Sequence, residues 1–374
     1  MKVLFAGGGT AGHINPALAI AGYLREQEPD VQILYIGAKG GMEEHLVPAA
    51  GYDFRSITVS GFQRKLSLKN IGRNASAAFH AVTASRQARK IISSFRPDIC
   101  IGTGGYVAGP VIREAIKMNI PSLIHEQNAF PGVTNKLLSK GADRTMLAVP
   151  DAQKYLAPEA RCVITGNPVR QEVIRADREE ARRKLDLDSR PLILSFGGSL
   201  GARKINEAVA DLLVESAKSG KYQHIHGYGK WGKWFPDLLK QKGADPAAHK
   251  ELDVREYISN MPDCLAAADL VICRAGAITL SELQVQGKAS ILIPSPNVAE
   301  NHQYHNAMAL VERDAAEIIE EKDLTGQALC KKVEELFAHP EKLRSLGENA
   351  KKMAIADTNA RIYKIIHEVL AEHH

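Results

Sequence analysis

Short apolar runs rich in β-branched residues alternate with amphipathic stretches along almost the whole chain. The apolar runs predict strands near 3–6, 33–37, 54–59, 99–102, 121–125, 144–149, 162–165, 192–196, 222–227, 252–257, 270–273, 289–293 and 316–319. The intervals carry apolar residues at helical spacing, as in 16–26, 202–217 and 279–286. Strands that alternate with helices are typical of parallel sheets with helices on both faces, so the pattern predicts an α/β fold.

One pattern occurs twice. The first predicted strand runs into 8–12 (GGTAG), and the strand at 192–196 runs into 197–201 (GGSLG), at an offset of 189 residues. A strand, a G-G-[ST]-x-G turn and a helix at both places predict two doubly wound domains in tandem. We expect domains over 1–165 and 166–354, because a strand ends near 165 in turn residues, and a final helix over 355–374 that packs back onto the first domain.

Composition places the chain among ordinary globular proteins. Of 374 residues, 45% are hydrophobic and 24% are charged, which excludes a disordered or low-complexity chain. The five cysteines are odd in number and widely spaced, which indicates buried thiols in a reducing compartment. No apolar run approaches about 18 residues, so we expect no membrane-spanning helix.

Three glycine-rich loops follow predicted strands, at 7–13, 102–110 and 197–203. A glycine turn between a strand and a helix lets phosphate groups approach the backbone, and the helix start offers free N–H groups. Gly7, Gly9 and Gly12 also match the dinucleotide fingerprint, but no acidic residue ends the second strand, and Glu43 comes later, inside a predicted helix. This mismatch disfavours a dehydrogenase, and no Walker-type loop occurs.

The three loops resemble the glycine loops of the MurG family of bacterial glycosyltransferases. Further matching segments are 125–128 (HEQN), 165–170 (TGNPVR), 274–282 (RAGAITLSE) and 303–307 (Q-x-x-N-A). The resemblance covers essentially the whole chain, in order. It departs at Ala11, where many members have glycine, and at His302, where some have glutamine.

The resemblance implies two Rossmann-like domains facing a cleft, the GT-B-type fold. It also implies inverting transfer of N-acetylglucosamine from UDP-GlcNAc to the 4-hydroxyl of an undecaprenyl-diphosphate-linked muramyl-pentapeptide. Such a site needs a base for that hydroxyl and support for the departing pyrophosphate. His13 is the candidate base; the alternatives are that it caps the helix start or only binds the acceptor. Glu126 is a rival base or an orienting partner.

The resemblance also assigns the binding residues. The donor residues are Thr10, Ala11, Gly12, Asn128, Arg170, Ser199, Ile258, Ala277, Ile278, Thr279, Leu280, Ser281, Glu282 and Gln303; those for the acceptor diphosphate are Gly104, Gly105 and Tyr106. Ser199 would hold phosphates, Glu282 the ribose hydroxyls and Ile258 the uracil. Arg170 would neutralise phosphate charge or form a surface ion pair. Glu282 has a second interpretation, as a first-turn glutamate that the helix dipole favours.

Two sequence patterns resemble metal sites. Asp186 and Asp188 form a D-x-D, but their charged surroundings indicate a solvated helix end. His302 and His305 share a helix face without a third ligand nearby. Structural roles are favoured for both pairs, and we expect no metal or other cofactor.

The basic residues are concentrated in one window. Between Asp53 and Asp98 lie nine cations and no acid, so this window has a charge of +9. Because the whole chain has a net charge of +5, the rest of the chain has a charge of −4. The window is either a helix with solvated arginines or a face for anionic inner-leaflet lipids; nucleic acid is disfavoured, because no stacking aromatics interleave. The candidate membrane residues are Arg64, Lys65, Leu66, Leu68, Lys69, Ile71, Arg73 and Phe79.

The leading hypothesis is therefore a peripheral enzyme on the cytoplasmic face of the bacterial membrane, whose partners are UDP-GlcNAc, the lipid-linked acceptor and anionic lipids. A UDP-N-acetylglucosamine epimerase on the same architecture is the alternative, and it would need no membrane face. A non-catalytic nucleotide-sugar sensor would bind the donor without releasing UDP.

Overall fold

The computed structural model describes residues 1–59 and 83–373. The chain divides into two compact units: unit 1 is Met1–Val169 with Asp357–His374, and unit 2 is Arg170–Ala356. The change of unit after Val169 lies four residues beyond the boundary expected at 165.

Unit 1 is built on a parallel sheet. In the described residues seven strands pair in the order β3-β2-β1-β4-β5-β6-β7. The strands are β1 (Lys2–Gly7), β2 (Gln32–Ala38), β3 (Asp53–Ile57), β4 (Ile99–Gly104), β5 (Ser122–Glu126), β6 (Arg144–Leu147) and β7 (Cys162–Ile164). The sequence order reverses beside β1, which places the turns that follow β1 and β4 side by side.

Helices cover both faces of this sheet. They are α1 (Ala11–Gln27), α2 (Glu43–Ala49), α3 (83–95), α4 (Gly105–Lys117) and α5 (Val133–Leu138). Val3 and Phe5 of β1 join one apolar core, and Leu4 and Ala6 join the core on the opposite face. Burial on both faces explains why the strand sequences are continuous apolar runs rather than alternating ones.

Unit 2 repeats the design. In the described residues six parallel strands pair in the order β10-β9-β8-β11-β12-β13. The strands are β8 (Leu192–Phe196), β9 (Gln223–Gly227), β10 (Leu252–Arg255), β11 (Leu270–Cys273), β12 (Ala289–Leu292) and β13 (Glu317–Ile318). The helices are α6 (Gln171–Arg175), α7 (Arg178–Lys184), α8 (Arg203–Ser219), α9 (Phe235–Gln241), α10 (Met261–Ala267), α11 (Ala277–Gln286), α12 (His302–Val311), α13 (Gly326–Ala338) and α14 (Pro340–Lys352).

The final helix, α15 (Thr358–His373), belongs to unit 1. Its Ile362 and Ile366 are buried in the same core as Ile20 and Leu24 of α1. The Tyr363 hydroxyl donates to Glu28 Oε1 at 3.1 Å. Within the described residues, the helices are all too short or too polar to cross a membrane.

Candidate active site

The first two glycine loops of unit 1 pack directly against each other. Gly105 has φ +79°, and a Cβ placed on it would lie 2.2 Å from Gly8 O. The Tyr106 ring lies over Gly9, where an added Cβ would be 2.9 Å from Tyr106 Cε1. Only glycine at 105 allows this approach, so the two loops form one backbone-lined surface at the carboxyl ends of β1 and β4.

His13 stands at this surface, in the first turn of α1. Its Nδ1 lies 3.3 Å from Gln127 Oε1, and an added Cβ on Gly104 would be 2.9 Å from the same nitrogen. Its backbone oxygen accepts a 2.6 Å hydrogen bond from Thr103 Oγ1. The structure thus brings His13 together with the predicted acceptor residues Gly104, Gly105 and Tyr106, and Thr10 to Gly12 adjoin it in sequence.

Glu126 is buried at the end of β5, and its carboxylate is enclosed by donors. Oε1 accepts from the backbone N and Nδ2 of Asn128, both at 3.0 Å. Oε2 accepts from Gly132 N at 3.0 Å and from Asn135 Nδ2 at 2.9 Å. Four hydrogen bonds tie this carboxylate to the segment that follows β5, so its contacts are those of a residue that orders the backbone.

Glu43 is a functional candidate that the sequence reasoning missed. Its buried carboxylate accepts from Ala38 N at 2.9 Å and from Gly9 N at 3.3 Å, so it joins the end of β2 to the first glycine loop. Burial, with the Glu43 charge adding to it, raises the pKa of Tyr106. In the sequence, Glu43 is visible as an acid at the start of α2, but the dinucleotide fingerprint considers an acid there only as a ribose ligand.

In unit 2 the third glycine loop leads from β8 into α8. Gly201 has φ +83°, and an added Cβ would lie 2.1 Å from Tyr228 O. Lys230 N donates to Ser199 O at 3.1 Å, which joins the loop to the turn after β9. Ser199 is exposed there, just before the amino end of α8, where N–H groups favour an anion.

Glu282 is buried on α11 and pairs with Arg170. Arg170 Nη2 lies 3.3 Å from Glu282 Oε1. Burial raises the pKa of Glu282, and Arg170 opposes this shift. Because α11 begins at Ala277, Glu282 lies in its second turn, so the first-turn interpretation was wrong.

Other predicted donor residues lie around the same helix. The first turn of α11 contains Ala277, Ile278, Thr279 and Leu280; Ser281 follows, and its Oγ donates to Ala277 O at 3.1 Å. Ile258 is buried and packs over Gly227 at the end of β9, where an added Cβ would lie 3.1 Å from Ile258 Cδ1. Ile258 follows the end of β10, and α11 follows the end of β11, so both lie beyond the carboxyl ends of unit 2 strands.

Gln303 lies in the first turn of α12, which follows a strained turn. Glu300 and Asn301 have φ values of +55° and +50°, a conformation that costs energy for residues other than glycine. Gln303 Oε1 accepts from Ser295 N at 2.9 Å, so its amide nitrogen is directed away from Ser295. Asn306 Nδ2 donates to Ala275 O at 3.3 Å, which ties α12 to the turn before α11.

The sequence patterns that resemble metal sites do not have the surroundings of a metal site in the described residues. Asp188 is exposed and pairs with Arg190 at 2.7 Å, which lowers the pKa of Asp188. Over residues 1–59 and 83–373, no group of three or more His, Cys, Asp or Glu side chains is arranged to hold a metal ion.

The basic window is described only in part. The candidate membrane residues Arg64, Lys65, Leu66, Leu68, Lys69, Ile71, Arg73 and Phe79 lie outside the described residues. On α3, Arg86 and Lys90 are exposed, whereas Ala88 and Ile92 are buried against the unit 1 core.

Comparison with known proteins decides the family. The model of the glycosyltransferase family 28 N-terminal domain matches residues 3–147, and that of the family 28 C-terminal domain matches residues 192–362. A protein of Acetivibrio thermocellus is 44% identical over 371 residues, which cover 99% of this chain and 98% of the relative. The chain belongs to glycosyltransferase family 28 and, within it, to the MurG family.

The relative is named UDP-N-acetylglucosamine–N-acetylmuramyl-(pentapeptide) pyrophosphoryl-undecaprenol N-acetylglucosamine transferase. The crystal structure of Acinetobacter baumannii MurG superposes with a TM-score of 0.77 at 28% identity, over 98% of this chain and 99% of that one. The predicted family, the two parallel α/β domains and the glycosyltransferase class are therefore confirmed.

A putative UDP-N-acetylglucosamine 2-epimerase from Listeria monocytogenes also superposes, with a TM-score of 0.69 over 99% of this chain and 97% of that one. Its identity is 14%, so this similarity concerns the fold alone.

Proposed function

We propose that this protein transfers N-acetylglucosamine from UDP-GlcNAc to the 4-hydroxyl of an undecaprenyl-diphosphate-linked muramyl-pentapeptide, with inversion, for peptidoglycan synthesis. The observation that carries the proposal is the 44% identity, over 99% of this chain, to a relative named for that transfer. The three glycine loops, which carry much of the resemblance, each follow a strand of one of the two parallel sheets, and this arrangement supports the proposal.

Unit 2 would hold the donor. The backbone of the third glycine loop and the start of α8 support the diphosphate, and Glu282 accepts hydrogen bonds from the ribose hydroxyls. Arg170, which pairs with Glu282, balances its charge. Ile258 forms an apolar floor for the uracil, and the amide nitrogen of Gln303 donates to the sugar.

His13 would act as the base. The acceptor oxygen attacks the anomeric carbon from the side opposite the phosphate, the bond from that carbon to the phosphate oxygen breaks, and UDP leaves with the electron pair. The hydroxyl proton passes to His13. Glu126 acts as a positioning residue, because all four of its described hydrogen bonds hold the segment after β5.

Release of UDP tests the reaction. The protein is mixed with UDP-GlcNAc, with and without a lipid-diphosphate muramyl acceptor. We expect UDP release that depends on the acceptor, and a loss of about 10²- to 10⁴-fold in kcat for His13→Gln, the usual contribution of a general base. His45→Gln, an exposed histidine of α2, is the control. Release without acceptor, or formation of an epimer, would overturn the proposal.

We propose that the reaction needs no divalent metal. Backbone N–H groups and the α8 dipole support the leaving diphosphate in place of an ion. Treatment with EDTA should leave kcat unchanged. Lost activity that returns with Mg²⁺ or Mn²⁺ would show that the proposal is wrong.

We propose that the basic window holds the protein on the anionic inner leaflet. The exposed Arg86 and Lys90 of α3 support this proposal, since each cation near such a surface contributes about 1 kcal/mol. Binding to phosphatidylglycerol vesicles should weaken with salt and with the triple variant Arg64→Glu, Lys65→Glu and Lys69→Glu. The control reverses Lys218 and Lys221, exposed lysines of unit 2. Equal binding to neutral vesicles, or unfolding of the triple variant, would count against the proposal.

A further inference from the structure

We propose that Gln127, with His125 behind it, fixes the tautomer of His13 so that Nε2 is the basic nitrogen. This inference deepens the proposed function, since it concerns how the His13 base is prepared. Gln127 and His125 are positioning residues in this scheme, because they act through His13.

The orientation of the Gln127 amide follows from its neighbours. Its Nε2 lies 2.9 Å from Thr103 O and 3.1 Å from His125 O. Backbone carbonyl oxygens only accept hydrogen bonds, so the nitrogen end of the amide must face them. The oxygen end is therefore the one that lies 3.3 Å from His13 Nδ1.

An amide oxygen has no proton to donate, so this contact is a hydrogen bond only when His13 Nδ1 carries the hydrogen. A neutral imidazole has a single N–H. The lone pair is then on Nε2, and a base needs that lone pair to accept the hydroxyl proton.

His125 supports the same orientation from the other side. It is fully buried, and its Nε2 lies 2.9 Å from Gly166 O, which places the hydrogen on Nε2. Its Nδ1, 3.1 Å from Gln127 Nε2, is therefore an acceptor for the amide. Burial lowers the pKa of His125, which keeps the ring neutral and this acceptor available.

Glu126, the acidic neighbour of Gln127, does not orient His13. Glu126 is adjacent to Gln127 in sequence, but its two oxygens accept from Asn128, Gly132 and Asn135. The partner of His13 is thus a neutral amide rather than a carboxylate. This amide has an oxygen that can only accept, so it selects the tautomer of His13 by hydrogen-bond direction.

Nitrogen NMR of the full chain labelled with ¹⁵N-histidine tests the tautomer without any substrate. The signals of His13 are those missing from His13→Gln. Above pH 8 we expect His13 with a protonated Nδ1 and a bare Nε2. An Nε2–H tautomer in the wild-type protein would overturn the inference, whether or not the protein is a transferase.

Kinetics test the consequence. Gln127→Met keeps the length of the side chain and removes the acceptor, so the tautomers of His13 should mix. About half of the molecules would then have a basic Nε2, so kcat should fall about twofold once the bias of one hydrogen bond is lost. The KM for UDP-GlcNAc should stay the same, because the donor does not depend on this proton.

The matched control is Gln223→Met, which removes a buried amide of unit 2. It should change neither the His13 signals nor kcat. If the wild-type protein transfers N-acetylglucosamine and Gln127→Met leaves kcat unchanged, the inference fails while the proposed function stands. If the wild-type protein shows no transfer, the proposed function fails, and the NMR result alone decides the tautomer.

Discussion

At the scale of single residues, the groups that matter are polar side chains held at strand ends by partners distant in sequence. His13 contacts Gln127 and Gly104 because β1, β4 and β5 are neighbours in the sheet. The motif match proposed roles for His13 and Glu282 from the sequence, and these roles stay predictions. Their partners could not be predicted, because contacts between residues 13 and 127 depend on strand order. Glu43 was missed for the same reason.

The Arg170–Glu282 pair leads to a prediction about donor binding. Glu282→Gln keeps the shape but removes the charge that strengthens hydrogen bonds to the ribose hydroxyls. A hydrogen bond to a charged group contributes about 1.5 to 3 kcal/mol, so the KM for UDP-GlcNAc should rise about 10- to 100-fold. Steady-state kinetics measure this, with the exposed Glu312→Gln as control. An unchanged KM would show that Glu282 does not bind the donor.

Glu43 should be needed for the stability of the first glycine loop. Glu43→Gln places an amide NH₂ against at least one of the two N–H donors, Ala38 N and Gly9 N. Such a mismatch in a buried position costs about 1 to 3 kcal/mol. Hydrogen exchange of the β1 and α1 amides should become correspondingly faster. Glu44→Gln, the neighbour that bonds Gly40 N closer to the surface, should have a smaller effect. Equal effects would contradict the role given to Glu43.

At the scale of elements, the sequence predicted each strand that the structure describes in residues 1–59 and 83–373, and it erred mainly at the strand ends. The strand expected at 144–149 ends at Leu147, because β7 pairs only with Thr145, Met146 and Leu147. The strand expected at 252–257 ends at Arg255, where its pairing with β9 ends. An apolar run shows where a strand can form, but hydrogen-bonded pairing with a neighbour decides where it stops.

Strands β8 and β9 bury a histidine pair that should make unit 2 sensitive to acid. Ser195 Oγ lies 2.8 Å from both His224 Nε2 and His226 Nδ1. Within the described residues, the other ring nitrogens have no hydrogen-bond partner. Burial lowers the pKa of His226 to about 3, and burial followed by the charge of His226 lowers the pKa of His224 well below its usual value.

Because these pKa values are lower in the folded state, the unfolded state binds more protons between about pH 6.5 and pH 3. The contribution of these two histidines to the free energy of unfolding is therefore fully present above about pH 6.5, and it is lost as the pH falls through this window. From pH 7.5 to 5.5 we expect a loss of about 2 to 3 kcal/mol. Urea unfolding followed by tryptophan fluorescence measures it, since both tryptophans, Trp231 and Trp234, lie in unit 2.

The double variant His224→Gln and His226→Gln should flatten this pH dependence, whatever its absolute stability. The control pair, His249→Gln and His339→Gln, is less buried and should keep it. A slope that is the same in all three proteins would assign the acid sensitivity to other groups.

At the scale of the whole molecule, the chain builds the same α/β design twice and passes between the units at two places, after Val169 and after Ala356. The tandem design could be predicted because the glycine loops repeat at a fixed offset. The exact crossing points depend on packing: Ile362, Ile365, Ile366 and Val369 of α15 fill the unit 1 core rather than that of unit 2.

This return of the chain predicts that the last helix and the one before it stabilise different units. Ile366→Ala should cost unit 1 about 2 to 5 kcal/mol, the usual range for a fully buried isoleucine, and should speed hydrogen exchange of the β1 amides. Leu346→Ala on α14 removes a similar volume from the unit 2 core and should lower the urea midpoint reported by Trp231 and Trp234.

Each variant serves as the control for the other, because each should leave the other unit's readout within about 0.5 kcal/mol of the wild-type protein. If Ile366→Ala lowered the tryptophan midpoint as much as Leu346→Ala does, the two units would unfold as one, and the assignment of α15 to the stability of unit 1 alone would be wrong.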